Sequence, residues 1–152
     1  LMQGSWSQDT LEIEVTLAGR TRRCATLRDA VHSLLAPGIE HELRIATRWP
    51  DFDALGHLNH AVYHVYCDEA RDAVLRATVG DIEQWPNVVV HATIDYRREI
   101  PLGTREVVVR TRVVEVGRSS VRFAHDVGDG AAEVAAVLVA WDPGGGNLVR
   151  SP

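Results

Sequence analysis

The sequence predicts an α+β domain in which one long helix lies across one face of a β-sheet. Apolar and polar residues alternate in several runs, and Gly-containing turns separate the runs of the second half. Only one long segment shows the 3.6-residue period of an amphipathic helix. A single amphipathic helix must bury its apolar face, so we expect it to cover the sheet.

The first third of the chain predicts two strands and a short helix. Residues 11–17 alternate over seven positions, which indicates a strand with one buried face, and 18–20 read as a turn. Residues 27–36 suit a short helix that Pro37 and Gly38 would stop. Residues 42–49 alternate again, and Pro50 ends this second strand because proline cannot continue the ladder.

The long helix begins near Ala61 and runs for about 18 residues, with Gly80 as its C-terminal stop. Its alanines would let the sheet approach closely. Four β-rich runs follow, and the Gly-containing turns between them predict a meander of antiparallel hairpins. These runs are residues 87–100, 105–116, 120–127 and 133–141.

The length and composition of the chain restrict the classes of function that it can have. The 152 residues suit one domain, and a net charge of -5 argues against nucleic-acid or anionic-membrane partners, which need a basic face. No apolar run approaches the roughly 18 residues of a membrane span, and the first residues lack a signal-peptide pattern. Cys24 and Cys67 lack CxxC spacing; a lone disulfide is one alternative, but we expect free thiols and a cytoplasmic protein.

The chemistry concentrates in DFDALGHLNHAVY, residues 51–63, at the start of the long helix. Two carboxylates, a glycine, two histidines and an asparagine crowd together there. The first backbone N–H groups of a helix are unpaired and lie at its positive end. A carboxylate just before them would place a base or nucleophile beside a group that stabilises negative charge.

This segment and the element order resemble the hot-dog fold thioesterases, most closely 4-hydroxybenzoyl-CoA thioesterase and the related short acyl-CoA thioesterases. The pattern is Asp-x-Asp-x-x-Gly-His-x-Asn-x-x-x-Tyr; residues 94–98 and 116–120 also fit. The resemblance covers roughly residues 40–142. It implies a curved antiparallel sheet wrapped around a central helix over residues 39–152, with residues 1–38 as an unassigned N-terminal extension.

The resemblance also implies hydrolysis of an acyl-CoA or acyl-carrier-protein thioester, without metal or cofactor. Asp53 matches the catalytic carboxylate, as nucleophile or general base. His60 matches the position whose backbone N–H polarises the thioester carbonyl, and Gly56 matches the glycine of the turn. Plant acyl-carrier-protein thioesterases place a catalytic Asn where this chain has Leu55, which argues against their mechanism here.

The other polar residues of the segment each carry two interpretations. His57 orients substrate or water, or is a plain loop histidine. Asn59 is the N-cap of the helix or takes part in catalysis. Tyr63 bonds a carboxylate or lines the pocket, or belongs to the core. Asp51 is interpreted as structural, pairing with Arg48 or capping the loop.

Coenzyme A carries phosphates, so arginines should surround the mouth of the pocket, and Arg97, Arg98 and Arg118 are candidates near strand ends. Glu69 is a possible second carboxylate, although pairing with a nearby arginine is its default interpretation. His60 and His64 have a helical zinc spacing, but the HExxH arrangement is absent. We therefore predict no metal site.

Two other functions compete with hydrolysis. Hot-dog hydratases use an Asp and a His five residues apart with a following Asn-Pro, a spacing this chain lacks. A non-catalytic acyl-binding module is the third possibility. By resemblance we expect a homodimer or homotetramer with shared active sites, in which the partner's strand 88–93 faces Asp53. Apolar edge strands such as 107–109 or 137–139 would favour such pairing.

Overall fold

The computed structural model describes residues 13–17, 20–24, 35–79, 87–118, 120–142 and 147–148. A short 3-10 turn, Trp49–Asp51, precedes the single described helix, α1, at His60–Val79. The strands are β1 Ile13–Leu17, β2 Arg20–Cys24, β3 Glu40–Ala46, β4 Asn87–Tyr96, β5 Glu106–Val116, β6 Ser120–Val127, β7 Ala132–Asp142 and β8 Asn147–Leu148.

The main sheet is antiparallel with the strand order β3-β5-β6-β7-β4, and β8 pairs with the end of β7. This confirms the predicted α+β class. The predicted meander is correct for β5, β6 and β7 but wrong for β4, which pairs with β7 instead of β5. The chain after β4 forms no hairpin because its backbone bonds to the loop before α1: the Leu58 N–H donates to Ile100 C=O and the Leu102 N–H to Gly56 C=O.

This order makes β3 and β4 the two edges of the described sheet. The sequence-based expectation that 107–109 or 137–139 would lie at an edge is therefore wrong, because β5 and β7 lie inside the sheet. Local alternation of side chains reports burial of one face and carries no information about which strand is a neighbour.

The core lies between α1 and the inward face of the sheet. Alternate residues of the inner strands are buried, as the period-2 pattern predicts, and small Ala70 on α1 allows close approach to the sheet. Burial of each large apolar side chain contributes about 1.5–3 kcal/mol. The core includes Tyr66, Val74, Leu75, Val107, Val109, Val113, Phe123, Val127, Val134 and Leu138.

Element ends differ from the prediction where backbone groups find other partners. β3 stops at Ala46 instead of residue 49, because the chain then turns into the 3-10 segment. β4 ends at Tyr96 instead of residue 100, because the N–H groups of Arg97 and Arg98 both donate to Ala131 C=O. The helix extends over 20 residues against the 18 expected.

At the N-terminus, β1 confirms the first predicted strand, and β1 pairs with β2 in a separate antiparallel sheet. The sequence-based prediction missed β2 and assigned Arg20 to a turn. The predicted helix 27–36 lies largely outside the described residues, and its last two positions, Leu35 and Ala36, are not helical. Gly80 also lies outside them. The division between residues 1–38 and 39–152 stays a prediction.

No helix among the residues described combines the length and apolar character required to cross a membrane. Cys67 is a buried free thiol on α1.

A buried polar cluster joins α1 to the sheet at His125. The ring Nδ1 of His125 lies 2.8 Å from Thr111 Oγ1, and its Nε2 lies 3.3 Å from Arg71 Nη1. Arg71 is itself buried and forms an ion pair with exposed Asp68. Burial, together with the neighbouring Arg71 charge, lowers the pKa of His125 to about 3.

We expect acid to destabilise the fold through this histidine. Unfolded His125 takes up a proton below about pH 6.5, whereas the folded ring resists protonation down to about pH 3. Its stabilising contribution is therefore present above about pH 6.5 and is lost as the pH falls. Between about pH 7.5 and about pH 5.0 the loss amounts to about 2 kcal/mol.

Urea unfolding of wild type and His125→Gln at these two pH values measures the effect. The wild type should lose more stability on acidification than the variant, because glutamine does not titrate. Equal losses would show that His125 is not the group responsible.

Candidate active site

The segment before α1 folds into a closed turn built on Asp53. The Asp53 N–H donates to His57 C=O at 2.8 Å, and the Gly56 N–H donates to Asp53 C=O at 3.0 Å. Asp53 Oδ1 accepts from the N–H groups of Leu55 at 2.9 Å and His57 at 3.1 Å. Gly56 has φ +78°, a conformation that disfavours residues with a Cβ, which explains the glycine of the motif.

This turn is attached to the rest of the domain on two sides. The Leu58 N–H donates to Ile100 C=O at 2.8 Å, and the Leu102 N–H donates to Gly56 C=O at 2.7 Å. Towards the 3-10 turn, the Asn59 N–H donates to Asp51 C=O at 2.8 Å. The turn is thereby held in a defined position at the N-terminus of α1.

Asn59 caps the helix. Its Oδ1 accepts from the Ala61 N–H at 3.0 Å, and its C=O accepts from the Val62 N–H at 2.9 Å. The predicted N-cap is therefore confirmed. The His60 N–H has no acceptor among the residues that the structure describes. It is an uncommitted donor at the positive end of a 20-residue helix.

The Asp53 carboxylate is half-buried and favours its ionised form. The backbone hydrogen bond from His57, with that from Leu55, outweighs partial desolvation and lowers the pKa of Asp53. Both bonds go to Oδ1, and Oδ2 accepts none from the described part of the chain. One oxygen thus orients the carboxylate while the other keeps its lone pairs for a substrate or water.

Asp51 has a different environment and a structural role. It is 3% exposed, and its carboxylate accepts from the Arg48 N–H at 2.7 Å, Arg48 Nη2 at 3.0 Å and the Tyr66 O–H at 2.8 Å. Burial alone would raise the pKa of Asp51, but these bonds lower it. The predicted pairing with Arg48 is confirmed, while the contact with Tyr66 was missed.

Two tyrosines lie together beside the helix N-terminus. Tyr63 on α1 is buried, and its ring meets that of Tyr96 on β4 edge to face, with centroids 5.2 Å apart and planes at 89°. The Tyr96 O–H donates to His60 C=O at 3.0 Å. Tyr63 belongs to the hydrophobic core, which confirms its core interpretation, and the hydroxyl that bonds a buried carboxylate is that of Tyr66.

Glu99 is a neighbour of the turn that the sequence pattern did not reveal. Its Oε2 lies 4.0 Å from His57 Nε2, and both side chains are exposed to solvent. The sequence pattern includes Glu99 in the predicted strand 87–100, so no local signal marks it as a neighbour of the turn. His57 therefore has an ionisable partner as well as its backbone role in the turn.

The arginine candidates are dispersed. Arg97 pairs with Glu133 at 2.9 Å, and Arg98 donates to the C=O groups of Gly128 and Asp129. Arg118 follows the end of β5 opposite the motif turn, about 30 Å along that 11-residue strand. The structure therefore brings Arg97 and Arg98 to the end of β4 but leaves Arg118 away from Asp53 of its own chain.

The remaining candidates are solvent-facing. Glu69 is exposed on α1 beside Arg48 and Tyr66. His60 and His64 are also exposed. Within the described ranges, no three His, Cys, Asp or Glu side chains cluster closely enough to hold a metal ion.

An antiparallel sheet crossed by one helix, with a carboxylate-bearing turn at the helix N-terminus, defines the hot-dog class of α+β enzymes. The chain belongs to the thioesterase-like superfamily, whose family model matches residues 47–142. The protein is therefore a thioesterase, as the resemblance implied. No curated protein sequence matches the chain.

Solved structures agree with this assignment. A thioesterase from Thermus thermophilus, in complex with coenzyme A and Zn, is 38% identical, with TM-score 0.63 over 73% of this chain and 90% of that chain. A DHNA-CoA thioesterase from Staphylococcus aureus shares the fold at 20% identity, with TM-score 0.64 over 73% and 80%. A predicted thioesterase from Bacillus stearothermophilus does so at 20%, with TM-score 0.66 over 75% and 89%.

Proposed function

We propose that the protein hydrolyses an acyl-CoA or acyl-carrier-protein thioester to the free acid and thiol at the Asp53 turn. One observation carries the proposal. The Asp53 carboxylate, which favours its ionised form and has one oxygen without a donor among the described residues, lies in the turn that leads directly into α1, and the first N–H of that helix, at His60, has no acceptor among those residues. Thioester hydrolysis needs both groups, one for attack and one for the developing oxyanion.

In this mechanism the thioester oxygen accepts a hydrogen bond from the His60 N–H, which is worth about 100- to 1,000-fold in rate for one such donor. Asp53 Oδ2 can then act in two ways. It attacks the carbonyl carbon and expels the thiolate, and water hydrolyses the resulting anhydride. Alternatively, it removes a proton from a water molecule that attacks the same carbon, and the C–S bond then breaks to release the thiolate, which takes up the proton. His57, with Glu99 nearby, is positioned to orient that water.

Coenzyme A is the thiol carrier that the comparisons favour, since the 38%-identical Thermus thermophilus thioesterase binds it. Arg98 follows the end of β4 and is exposed; its Nη2 donates to the C=O groups of Gly128 and Asp129, which leaves its other guanidinium N–H groups to contact a phosphate. Arg118 would serve only a site that it reaches from another subunit. The site would thus be completed by a second chain.

The outer edge of β4, which pairs with no other strand in the described part of the chain, supports such a homodimer. Ten residues long and largely exposed, this strand presents Val89 and Val90 at 43% and 45% exposure, and it pairs on one side with β7. Unpaired apolar edges are normally covered. Pairing of β4 with its symmetry mate would bring the partner's residues 88–93 towards Asp53. A homotetramer would combine two such dimers.

A panel of acyl-CoAs tests the proposed function with three readouts. Free-thiol release supports hydrolysis. Hydration of an enoyl-CoA without thiol release would instead support a hydratase, and saturable binding without turnover would support an acyl-binding module. We expect thiol release at kcat values of about 1–1,000 per second on the preferred acyl group. Light scattering at micromolar concentration should show a dimer or tetramer, and a monomer would contradict the shared site.

A further inference from the structure

Tyr96 lies at the point where the edge strand β4 meets the helix N-terminus. It is the last residue of β4, it is 48% exposed, and its hydroxyl donates to His60 C=O at 3.0 Å. The principal packing contacts of α1 go to β3, β5 and β6. The strand β4 packs little against α1, and the Tyr96 hydroxyl therefore provides a link between them.

This hydrogen bond is one of two consecutive hydrogen bonds that connect Tyr96 to the helix cap, Asn59. The peptide group between His60 and Ala61 accepts from Tyr96 at its C=O and donates through the Ala61 N–H to Asn59 Oδ1. Hydrogen bonds at the two ends of one peptide group polarise and strengthen each other. The next peptide group towards the N-terminus, between Asn59 and His60, carries the uncommitted His60 N–H.

We infer that Tyr96 is a positioning residue for the thioesterase site: through His60 C=O and the Asn59 cap it fixes the direction of the His60 N–H. The inference rests on the proposed function, in which that N–H meets the thioester oxygen. An oxyanion donor acts only when it is aligned with the position where charge develops. Greater mobility of the first turn of α1 would therefore lower kcat more than it weakens substrate binding.

Tyr96→Phe removes the hydroxyl and keeps the ring that packs against Tyr63. We expect kcat for thiol release to fall about tenfold, less than the ~100-fold or more that direct loss of an oxyanion donor costs. KM should stay within about twofold, because a transition-state contact is weakened. Independently of activity, the Ala61 amide should exchange its hydrogen faster in the variant, since its cap is loosened.

Tyr66→Phe is the matched control. It also removes one tyrosine hydroxyl that joins α1 to another segment, here the buried bond from Tyr66 on α1 to Asp51 in the 3-10 turn. We expect this variant to lower the unfolding midpoint while kcat per folded molecule stays within about twofold. Tyr96→Phe should show the opposite pattern, a lower kcat with little change in the midpoint, because its hydroxyl bond is exposed.

Three results would overturn the inference. An unchanged kcat in Tyr96→Phe, with an active wild type, removes the positioning role even if Ala61 exchange accelerates. Unchanged exchange with a lowered kcat shows that Tyr96 acts in some way other than through the helix cap. A wild type that releases no thiol from any acyl-CoA overturns the proposed function and this inference with it. The hydrogen-exchange data report separately whether the Tyr96 hydroxyl stabilises the helix cap.

Discussion

Asp53→Asn should lower kcat for thiol release by about 1,000-fold, within the usual range for loss of a catalytic carboxylate. Asparagine has the same shape, and its Oδ1 can still accept from the N–H groups of Leu55 and His57 that hold the turn closed. The substitution therefore removes the charge and the nucleophilic oxygen while preserving the loop. KM should change little, because the loss falls on the transition state.

The control for this variant is a measurement of its thermal unfolding, which shows whether the fold is preserved. The unfolding midpoint should remain within about 3 °C of wild type, since Asp53 lies outside the core. An Asp53→Asn protein that is folded and turns over its best acyl-CoA at the wild-type rate would exclude the carboxylate from the reaction, whichever of the two routes is considered.

Asp51→Asn, two residues earlier, should act on stability instead of catalysis. The buried carboxylate receives donors at both oxygens, from the Arg48 backbone and guanidinium and from the Tyr66 hydroxyl. An amide nitrogen in place of either oxygen would face a donor. We expect the free energy of unfolding in urea at neutral pH to fall by about 3 kcal/mol.

The kcat of Asp51→Asn, corrected for the folded fraction, should stay within about threefold of wild type. A stable Asp51→Asn protein with a large loss of kcat would reverse the roles of the two aspartates. The same result would make Arg48 and Tyr66 parts of the catalytic apparatus instead of the framework.

Local patterns predicted the parts of the structure that depend on neighbouring residues. The 3.6-residue period located α1, and the residue before it, Asn59, was predicted as its cap because asparagine accepts from first-turn amides. Alternation located the strands to within a few residues at most ends. The motif identified Asp53 and Gly56, and the structure shows why both belong to one turn.

Long-range partners could not be obtained in this way. Nothing in the alternation of residues 87–96 distinguishes pairing with β5 from pairing with β7, because both would bury the same face. The contacts of Tyr66 with Asp51, Tyr96 with His60 and Glu99 with His57 span 15, 36 and 42 positions of sequence. The contacts of Tyr96 and Glu99 exist only once the fold has brought the end of β4 to the start of α1, and that of Tyr66 only once the 3-10 turn has folded against the helix.

The central claim, that Asp53 Oδ2 and the His60 N–H together perform thioester hydrolysis, is tested most directly by one ratio. It is the kcat of Asp53→Asn divided by that of Asp51→Asn, both measured as thiol release on the preferred acyl-CoA and normalised to folded protein. The proposed mechanism predicts a ratio on the order of 0.001. A ratio near 1 would contradict it.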